Sequence, residues 1–394
     1  MTHPVHRDDV IGEARRVAAA TDADLESVVA DLETWVNADT PGGDVSALDR
    51  FAAELAHTLE RYGLHPELVP AGERGLYLHA VLEGEGTARV ALLSHHDTVF
   101  THGTALARPF RRDAARCYGP GVADMKGGLA VAVHTARLLA RGPRPFARLE
   151  VVSVPDEESR PHAPETIDRL EGFDAVLCLE CGRPNGEVVS ARKGATWFRI
   201  EARGHAAHAG VEPDVGRNAI HALAREAIRL LDLHHSRVGV TLQLTSVVGG
   251  EGLNTVASHA SLTGDLRAIT EDDLGWAVGE VAAFGEHDGI QFSLENLGGP
   301  PAFERTPAVA SLAEAAILLG ADLGHVFGEA LTGGVSDGSW TAHRGIPTLD
   351  GLGPVGGLDH GPDEYIETAT IPIRCGVVAG LVAAVDAGLL GDVW

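Results

Sequence analysis

The chain of 394 residues is poor in several kinds of residue, and each scarcity excludes a class of protein. Four cysteines are too few for a disulfide framework at this length, so we expect a reducing compartment and a cytoplasmic protein. Lysine and arginine total 31 against 56 aspartates and glutamates, and the net charge of −25 disfavours nucleic acid and anionic membranes as partners. No apolar run reaches the roughly 18 residues of a membrane span, and residues 1–10 lack the apolar stretch of a signal peptide.

The rest of the composition is typical of a globular protein with more than one domain. Hydrophobic residues make up 44% of the chain, which excludes a disordered or low-complexity protein. At about 150 residues per domain, the length predicts two or three domains. Histidine is abundant, with 20 residues, and because it is the commonest metal ligand this abundance directs attention to metal sites.

Hydrophobic patterning predicts an α/β domain in the first and last parts of the chain. Two amphipathic helices are predicted within residues 8–62, separated by a turn. Short apolar runs bounded by turns predict strands at 77–82, 90–93, 149–154, 175–179 and 346–349. Helices are predicted at 125–139, 307–320 and 371–387. Alternating strands and helices are typical of an α/β fold with a mostly parallel sheet flanked by helices.

The middle of the chain has a different pattern. Strands that alternate in polarity are predicted at 197–202, 238–248 and 260–268, with helices at 217–233 and 271–284. We therefore predict a split α/β catalytic domain, residues 1–194 and 302–394, with an inserted α+β domain at residues 195–301.

A histidine and an aspartate follow the strand at 90–93 in the pattern H-x-D-x-V. Side chains alternate along a strand, so His95 and Asp97 point the same way, which suits a metal ligand and a carboxylate that orients it. His96 is the alternative ligand, but only His95 shares a face with Asp97. By itself the pattern favours an ordinary polar strand end.

A glycine-rich loop at 119–128, G-P-G-V-A-D-M-K-G-G, runs into the helix predicted at 125–139. It is not a phosphate loop, because no Gly-Lys-Ser/Thr follows. It is not a dinucleotide fingerprint, because Asp124 stands where the third glycine would be. The glycines let the backbone approach a ligand closely, and Asp124 is either a ligand or the N-cap of the helix.

Acidic residues follow two further predicted strands. The carboxylates of the D-E-E triplet at 156–158 repel one another, so bound cations would stabilise them, and a solvated acidic loop is the alternative. Glu180 ends the next strand, between Cys178 and Cys181. This C-x-x-C pattern has no second cysteine pair to complete a zinc site, so it indicates buried packing.

Two further candidates lie near the C-terminus. His360 stands in a glycine-flanked loop and is either another ligand or simply solvated. Ser336, in G-V-S-D-G at 334–338, matches the G-x-S-x-G pattern of a serine hydrolase, which is a remote alternative function. The residues at 330–334 do not predict the strand that this pattern requires before the serine.

The motifs together resemble the M20 family of metallopeptidases, and within it the carboxypeptidase G2-like (glutamate carboxypeptidase) subgroup. The matching segments, in order along the chain, are 95–99, 119–128, 156–158, Glu180 and His360. The middle region adds G-H-A-A-H-A-G at 204–210, G-G-x-x-x-N at 249–254 and D-L-R at 265–267. The resemblance covers about residues 25–385.

The resemblance implies a dizinc hydrolase, in which cobalt or manganese are possible substitutes for zinc. Asp97 would orient His95. Glu157 would be the general base that carries a proton from the attacking water to the leaving amine. The implied ligands are His95 and Glu180 for one zinc, Glu158 and His360 for the other, and Asp124 as the bridge between them.

The resemblance also implies residues that contact the substrate. His208 would stabilise the oxyanion, often across a dimer interface in this family, and His205 is its local competitor. Asn254 and Arg267 match positions that hold a substrate carboxylate, although a salt bridge on the strand surface is the alternative role of Arg267. A homodimer through the inserted domain, acting as lid and dimerisation domain, is expected.

The implied substrate is a peptide or N-acyl amino acid that carries a free carboxylate, and a C-terminal glutamate is the leading example. A narrower N-acyl-amino-acid deacylase, such as a desuccinylase or deacetylase, is the alternative. A binding protein without activity would lack Glu157 or a ligand, and all are present. Departures from the family pattern are Ser94, Ser159-Arg160 and Arg192-Lys193, which bear on the substrate pocket rather than on the metal ligands.

Overall fold

The structure is a computed structural model that describes residues 6–160 and 162–390. The expectation of no signal peptide concerns residues 1–10, and residues 1–5 lie outside the described part. Within the described residues the α-helices are α1 (Arg7–Ala23), α2 (Leu25–Val36), α3 (Val45–Arg61), α4 (Thr104–Ala107), α5 (Gly127–Ala140), α6 (Ala219–Leu231), α7 (Glu271–Ala282), α8 (Pro307–Asp322), α9 (Gly338–His343) and α10 (Thr370–Ala387).

The strands of the same residues form several separate sheets. In chain order they are β1 (His65–Pro70), β2 (Leu76–Glu83), β3 (Arg89–His95), β4 (Arg111–Arg112), β5 (Arg116–Tyr118), β6 (Arg148–Val154), β7 (Ala175–Cys178), β8 (Val188–Arg192), β9 (Gly194–Arg203), β10 (Thr241–Gly249), β11 (His259–Ala268), β12 (Gln291–Gly298), β13 (Glu329–Thr332), β14 (Thr348–Leu349), β15 (Gly356–Gly357) and β16 (Tyr365–Glu367).

The chain divides into two compact units. The first unit runs up to Ser190 and includes Arg305–Leu331 and the residues from Ser336 onward; the second comprises Ala191–Glu304 and Thr332–Val335. The sequence did not indicate that Thr332–Val335 belongs to the second unit. A hydrogen bond joins this segment to the second unit: the Lys193 N–H donates to the Thr332 carbonyl at 3.0 Å.

The main sheet of the first unit has six strands in the order β1-β2-β6-β3-β7-β14. Strands β6, β3, β7 and β14 run parallel, whereas β1 and β2 pair antiparallel at one edge. Every residue of β7 is buried, as are all residues of β3 and β6 except the first of each. This burial explains why these strands are continuous apolar runs in the sequence. The α/β fold with a mostly parallel sheet and flanking helices is confirmed.

Helices cover this sheet and complete the core of the first unit. The α5 helix is buried from Gly127 to Leu139 and contacts β3 and β6. The α10 helix packs against α1, α5 and α8. Among the described helices, α10 alone has the length and apolar composition to cross a membrane, although it carries Arg374 and Asp386; 78% of it is buried in the fold.

The N-terminal helical region differs from the prediction of two helices in residues 8–62. It contains three helices, because α1 ends before Asp24, whose φ of −115° and ψ of 22° are not helical, and α2 begins directly after it. The continuous polar and apolar pattern on both sides of Asp24 hides this break. The turn at 39–44 is confirmed as the boundary between α2 and α3.

The second unit is a four-stranded antiparallel sheet in the order β10-β11-β9-β12, with α6 and α7 packed on it. Buried apolar residues of β9, β11 and the two helices form its own core, which includes Phe198, Ile200, Leu223, Leu262 and Leu266. The β10 strand lies at the edge of the sheet, and its residues from Thr245 to Gly249 are exposed. This arrangement is the small α+β unit predicted from the alternating pattern.

Candidate metal centre

Three of the predicted groups are brought together by the parallel strands of the first unit. The register pairs His95 at the end of β3 with Val154 at the end of β6, and Leu93 with Cys178 at the end of β7. His95, the acidic triplet after β6 and Glu180 after β7 therefore leave the sheet at the same edge. The carboxyl ends of parallel strands are where α/β folds place their ligands.

The glycine-rich loop brings Asp124 to the same edge. Asp124 lies in a short turn, Val122–Lys126, with the non-helical angles φ −115° and ψ 91°, so it is not the N-cap of α5. The peptide bond between Asp124 and Met125 is cis. At Gly128 a side chain would place its Cβ only 1.7 Å from the Leu179 carbonyl oxygen, so only glycine lets α5 pack this closely against the segment that carries Glu180.

Asp124 contacts two histidines with its two carboxylate oxygens. Oδ1 lies 3.0 Å from His95 Nε2, and Oδ2 lies 3.1 Å from His360 Nε2. Each histidine also approaches one glutamate: His95 Nε2 is 3.6 Å from Glu180 Oε1, and His360 Nε2 is 3.5 Å from Glu158 Oε1. Asp124 is thus shared between two pairs, each made of one imidazole and one carboxylate.

The donor set fits a pair of divalent cations. Potential ligand atoms lie within 4.8 Å of one another in three groups, which are His95–Asp124–Glu180, Asp124–Glu158–His360 and His95–Glu157–Glu158. Imidazole nitrogens and carboxylate oxygens are ligands that zinc accepts. Glu158 Oε1 is buried without a hydrogen-bond donor, and a cation would satisfy this acceptor.

Asp97 connects His95 with the acidic triplet. Its Oδ1 lies 3.3 Å from His95 Nδ1, whose nearest acceptor is the Asp97 carbonyl oxygen at 3.0 Å. Its two carboxylate oxygens also accept the backbone N–H groups of Glu157 at 3.1 Å and Glu158 at 3.0 Å. One fully buried carboxylate therefore fixes the ring of His95 and the turn that presents both glutamates.

The histidine next to it, His96, faces away from these groups. It is fully buried, its Nδ1 is 2.9 Å from Ser153 Oγ, and its ring stacks on Phe51 at 5.7 Å. Burial lowers the pKa of His96 to about 3, so the ring stays neutral. The structure therefore favours His95 over His96 as the candidate ligand.

The candidate ligands shift one another's pKa values, because imidazoles and carboxylates lie in contact. Burial opposes the charged form of His95, but its contact with Asp124 raises the pKa of this histidine well above the ordinary value. The hydrogen bond to Asp124, followed by the contact with Glu158, raises the pKa of His360 to about 10. Burial raises the pKa of Glu157 and Glu158, and neighbouring carboxylates add to the rise. The raised pKa values of the two histidines therefore reflect the negative charge of the carboxylates around them.

Comparison with known proteins decides the family. The sequence model of peptidase family M20/M25/M40 matches residues 91–384, about three quarters of the chain. The chain belongs to this family. Members of the M20 family are metal-dependent hydrolases, so the protein is a hydrolase with metallopeptidase relatives.

Individual relatives agree with this assignment. The chain is 28% identical to carboxypeptidase G2 of Pseudomonas sp. (strain RS-16) over 97% of this chain and 93% of that protein. It is 27% identical to a succinyl-diaminopimelate desuccinylase of Alkalilimnicola ehrlichii over 67% of this chain and 74% of that protein. A dinuclear metal-binding M20 peptidase of Bacillus subtilis has the same fold, with a TM-score of 0.70 at 16% identity over 92% of this chain and 99% of that chain.

The residues expected to contact the substrate, His208, Asn254 and Arg267, belong to the second unit. His208 and Asn254 are both exposed and adjacent, since Ala209 N–H donates to the Asn254 carbonyl at 2.8 Å. The competitor His205 is exposed too, and its backbone pairs with Arg217. The role of His208 at the oxyanion stays a prediction.

Arg267 is engaged in a salt bridge on its own strand. Its Nε and Nη2 donate to the two carboxylate oxygens of Asp265, both at 2.9 Å, and its Nη1 donates to the Gly333 carbonyl at 2.6 Å. Trp197 Nε1 also donates to Asp265, at 3.1 Å. The fork of Arg267 is therefore occupied, which matches the salt bridge considered as its alternative role. A substrate carboxylate would have to displace Asp265.

The remaining alternatives from the sequence lose support. Ser336 is 1% exposed and donates to Asp350 Oδ2 at 2.6 Å, while His360 contacts Asp124, so the two do not form a nucleophile pair. Cys178 and Cys181 are buried and are not joined in a disulfide, in agreement with the packing role predicted for them.

Two buried residues of the first unit were not recognised as part of the site. Arg160 was noted only as a departure from the family pattern. It is buried, and it donates hydrogen bonds to Asp156 at 3.0 Å and to Asp337, which fixes the position of the first residue of the acidic triplet. Glu364 accepts hydrogen bonds from the Asp124 loop. Burial raises the pKa of Glu364 to about 7, and its backbone donors oppose this rise. An ion pair at i, i+4 such as Asp156 and Arg160 is visible in a sequence, whereas the contacts of Glu364 are not.

Proposed function

We propose that this M20 hydrolase binds two zinc ions in the first unit and cleaves an amide bond to an amino acid that carries a free carboxylate. The shared carboxylate of Asp124, with one oxygen on His95 and the other on His360, is the observation that carries the proposal. Carboxylates bridge metal ions in this way in two-metal hydrolytic sites. His95 and Glu180 would hold one ion and Glu158 and His360 the other, with Asp124 common to both.

The roles of the other residues follow from their positions. When bound, the two cations polarise the scissile carbonyl and lower the pKa of the attacking water. Glu157 accepts a proton from this water and returns it to the leaving nitrogen, since it lies among the donors but does not pair with His360 as Glu158 does. Asp97 keeps the ring of His95 oriented toward the cation.

The relatives guide the choice of substrate. Carboxypeptidase G2 is similar over nearly the whole chain, so release of a C-terminal amino acid such as glutamate is the proposed reaction. Desuccinylases are similar over a smaller part, and N-acyl amino acid deacylation is the second candidate. Asn254 is the candidate anchor for the free carboxylate, because the fork of Arg267 is held by Asp265. A cytoplasmic location stays a prediction.

Removal of metal is expected to abolish turnover, which tests the proposed function. Purified protein is assayed on a panel of dipeptides, C-terminal glutamate substrates and N-succinyl and N-acetyl amino acids. A chelator should remove at least about 99% of the activity on any substrate that is cleaved, and added zinc should restore it, with cobalt and manganese as comparisons. A serine-directed reagent should have no effect. Turnover that survives complete metal removal would contradict the proposal.

Zinc binding to the metal-free protein is expected to release about two protons at pH 7. The pKa of His95 and His360 is raised by Asp124, so both rings are protonated at neutral pH and must lose their protons to become ligands. The apparent affinity for each ion should therefore rise up to about 10-fold per pH unit below the pKa of its histidine. Calorimetry in buffers with different ionisation enthalpies measures the protons, and His360→Gln should release about one fewer. Binding without proton release contradicts this assignment of ligands.

A homodimer through the second unit is proposed from its exposed apolar edge. Val247 and Val248 on β10 are each 64% exposed and line an apolar groove of about 250 Å³ with Ile220 and Leu223 of α6. An exposed apolar edge strand invites pairing with a second copy. Val248→Lys should shift the protein to monomer in sedimentation velocity, whereas Val238→Lys, at a site 90% exposed, should not. An unchanged dimer in the Val248 variant, or a monomeric wild type, would disprove this interface.

A further inference from the structure

A buried glutamate outside the predicted ligand set holds the loop that carries Asp124. Glu364 is 1% exposed. Its Oε2 accepts the Gly121 N–H at 2.9 Å, and its Oε1 accepts the N–H groups of Ala123 at 2.8 Å and Asp124 at 3.0 Å. About 240 residues of sequence separate this side chain from the loop, so the contact is made by the tertiary fold.

The loop needs such an acceptor because its backbone is irregular and buried. Gly121 has a φ of +73°, a left-handed conformation that favours glycine, and Asp124 and Met125 have non-helical angles. Buried N–H groups without acceptors are costly, and a carboxylate offers only acceptor sites, enough for all three donors. Lys126 secures the other side of the loop, since its Nζ donates to the Ala38 carbonyl at 2.8 Å.

The segment that carries Glu364 also carries His360. His360 meets Asp124 through the carboxylate Oδ2, and Glu364 meets the same residue through its backbone N–H, only four positions later. One short segment therefore fixes both the backbone and the side-chain environment of Asp124. The relative position of Asp124 and His360, two of the proposed ligands, is set by these contacts.

The charge of Glu364 gives a reason to expect more than a packing role. An ionised Glu364 carboxylate, which accepts the backbone N–H of Asp124, places a second negative charge near the Asp124 carboxylate. Like charges at such positions repel each other, and cations bound nearby would relieve that repulsion. An acceptor of the same shape without charge would satisfy fewer donors, because a glutamine amide presents one oxygen and an NH₂ group.

We propose that Glu364 is a positioning residue of the metal centre, which holds Asp124 at the distance from His360 that two cations require. This inference rests on the proposed function, since it concerns the same two-metal site. Glu364 touches neither substrate nor cation in this account, and acts through the backbone of Asp124. Groups that orient metal ligands in this way commonly affect metal affinity or activity by about 10- to 100-fold.

The test compares Glu364→Gln and Glu364→Asp with a matched control, Glu226→Gln. Glu226 is 2% exposed and also accepts a backbone N–H, from Gly285 at 2.9 Å, but it belongs to the second unit and to none of the three donor groups. For each variant, zinc stoichiometry and affinity are measured with a competing chelator, kcat and KM on the best substrate, and melting temperature without metal. The visible spectrum of the cobalt form reports the geometry of the ligands.

Glu364→Gln is expected to weaken zinc binding about 10- to 100-fold, to lower kcat with little change in KM, and to alter the cobalt spectrum. Glu364→Asp, whose carboxylate is withdrawn by one methylene, should show the same changes near the lower end of that range. Glu226→Gln should lower only the melting temperature. This control separates a positioning role from a loss of stability.

The outcomes distinguish this inference from the proposed function. A wild-type protein that binds fewer than two zinc ions, or hydrolyses its substrates without them, overturns the proposed function. A wild-type protein with two zinc ions, together with a folded Glu364→Gln variant of unchanged zinc affinity, kcat and spectrum, overturns the role of Glu364 alone. If the glutamine variant does not fold, unchanged values for Glu364→Asp overturn it equally.

Discussion

Glu157→Gln is expected to lower kcat by about 10²- to 10⁴-fold while both zinc ions stay bound. Glutamine has nearly the same shape as glutamate but cannot accept the proton of the attacking water. The turn should keep its conformation, because Asp97 holds it through the backbone N–H groups of residues 157 and 158 rather than through the Glu157 side chain. Steady-state kinetics and zinc content of the same preparation measure both expected results.

Glu158→Gln is the matched comparison, because it changes the neighbouring glutamate in the same way. Glu158 Oε1 is 3.5 Å from His360 Nε2, so we expect this variant to lose zinc affinity first and activity as a consequence. The acid limb of the wild-type pH profile should also disappear from the residual activity of Glu157→Gln, because burial raises the pKa of Glu157. A Glu157→Gln variant that loses zinc but retains turnover would reverse the two roles.

Strand ends are the part of the site that the sequence predicts best. Apolar runs identify β3, β6 and β7 because both faces of these strands are buried, and parallel strands align their carboxyl ends. His95, the acidic triplet and Glu180 could therefore be expected at one edge of the sheet. Taken alone, the polar residues after each strand indicate an ordinary solvated loop. They indicate a metal site only because the strands end at the same edge of the sheet.

The loop residues of the site could not be placed by pattern. Asp124 and His360 are 236 residues apart in irregular segments, and no periodicity relates them. The family resemblance supplied their pairing, whereas composition and spacing left Asp124 as either a ligand or a helix cap. Glu364 was missed for the same physical reason, since its partners are backbone N–H groups that carry no sequence signature.

The partner of Arg267, by contrast, could be read from the local sequence. Residues two apart on a strand share a face, so Asp265 and Arg267 of β11 were placed to pair by the alternation alone. The family match favoured a substrate carboxylate as the partner of Arg267. Because Asp265 and Arg267 lie on the same strand, their salt bridge forms whenever β11 forms. A substrate carboxylate must compete with Asp265 for the guanidinium of Arg267.

Asp124→Asn is expected to give the largest loss, because it changes both halves of the proposed site at once. Zinc sites with four ligands bind with about 10–16 kcal/mol, so one ligand contributes about 3 kcal/mol, or about 10²-fold in affinity. Asparagine retains one carbonyl oxygen and presents an NH₂ group to the second histidine. Binding of one ion should fall about 10²-fold, and activity that needs both ions should fall on the order of 10⁴-fold if both halves are affected.

The protonation of the metal-free site gives an independent readout of the same variant. Asp124 is the first cause of the raised pKa of His360, so its neutralisation should bring that pKa from about 10 toward the ordinary value, which NMR titration of the imidazole signals measures. Asp359→Asn is the matched control, because it removes one negative charge beside His360 but leaves both oxygens of Asp124 on the two histidines. Wild-type zinc affinity in Asp124→Asn, with His360 still titrating near 10, would show that Asp124 does not join the two halves of the site.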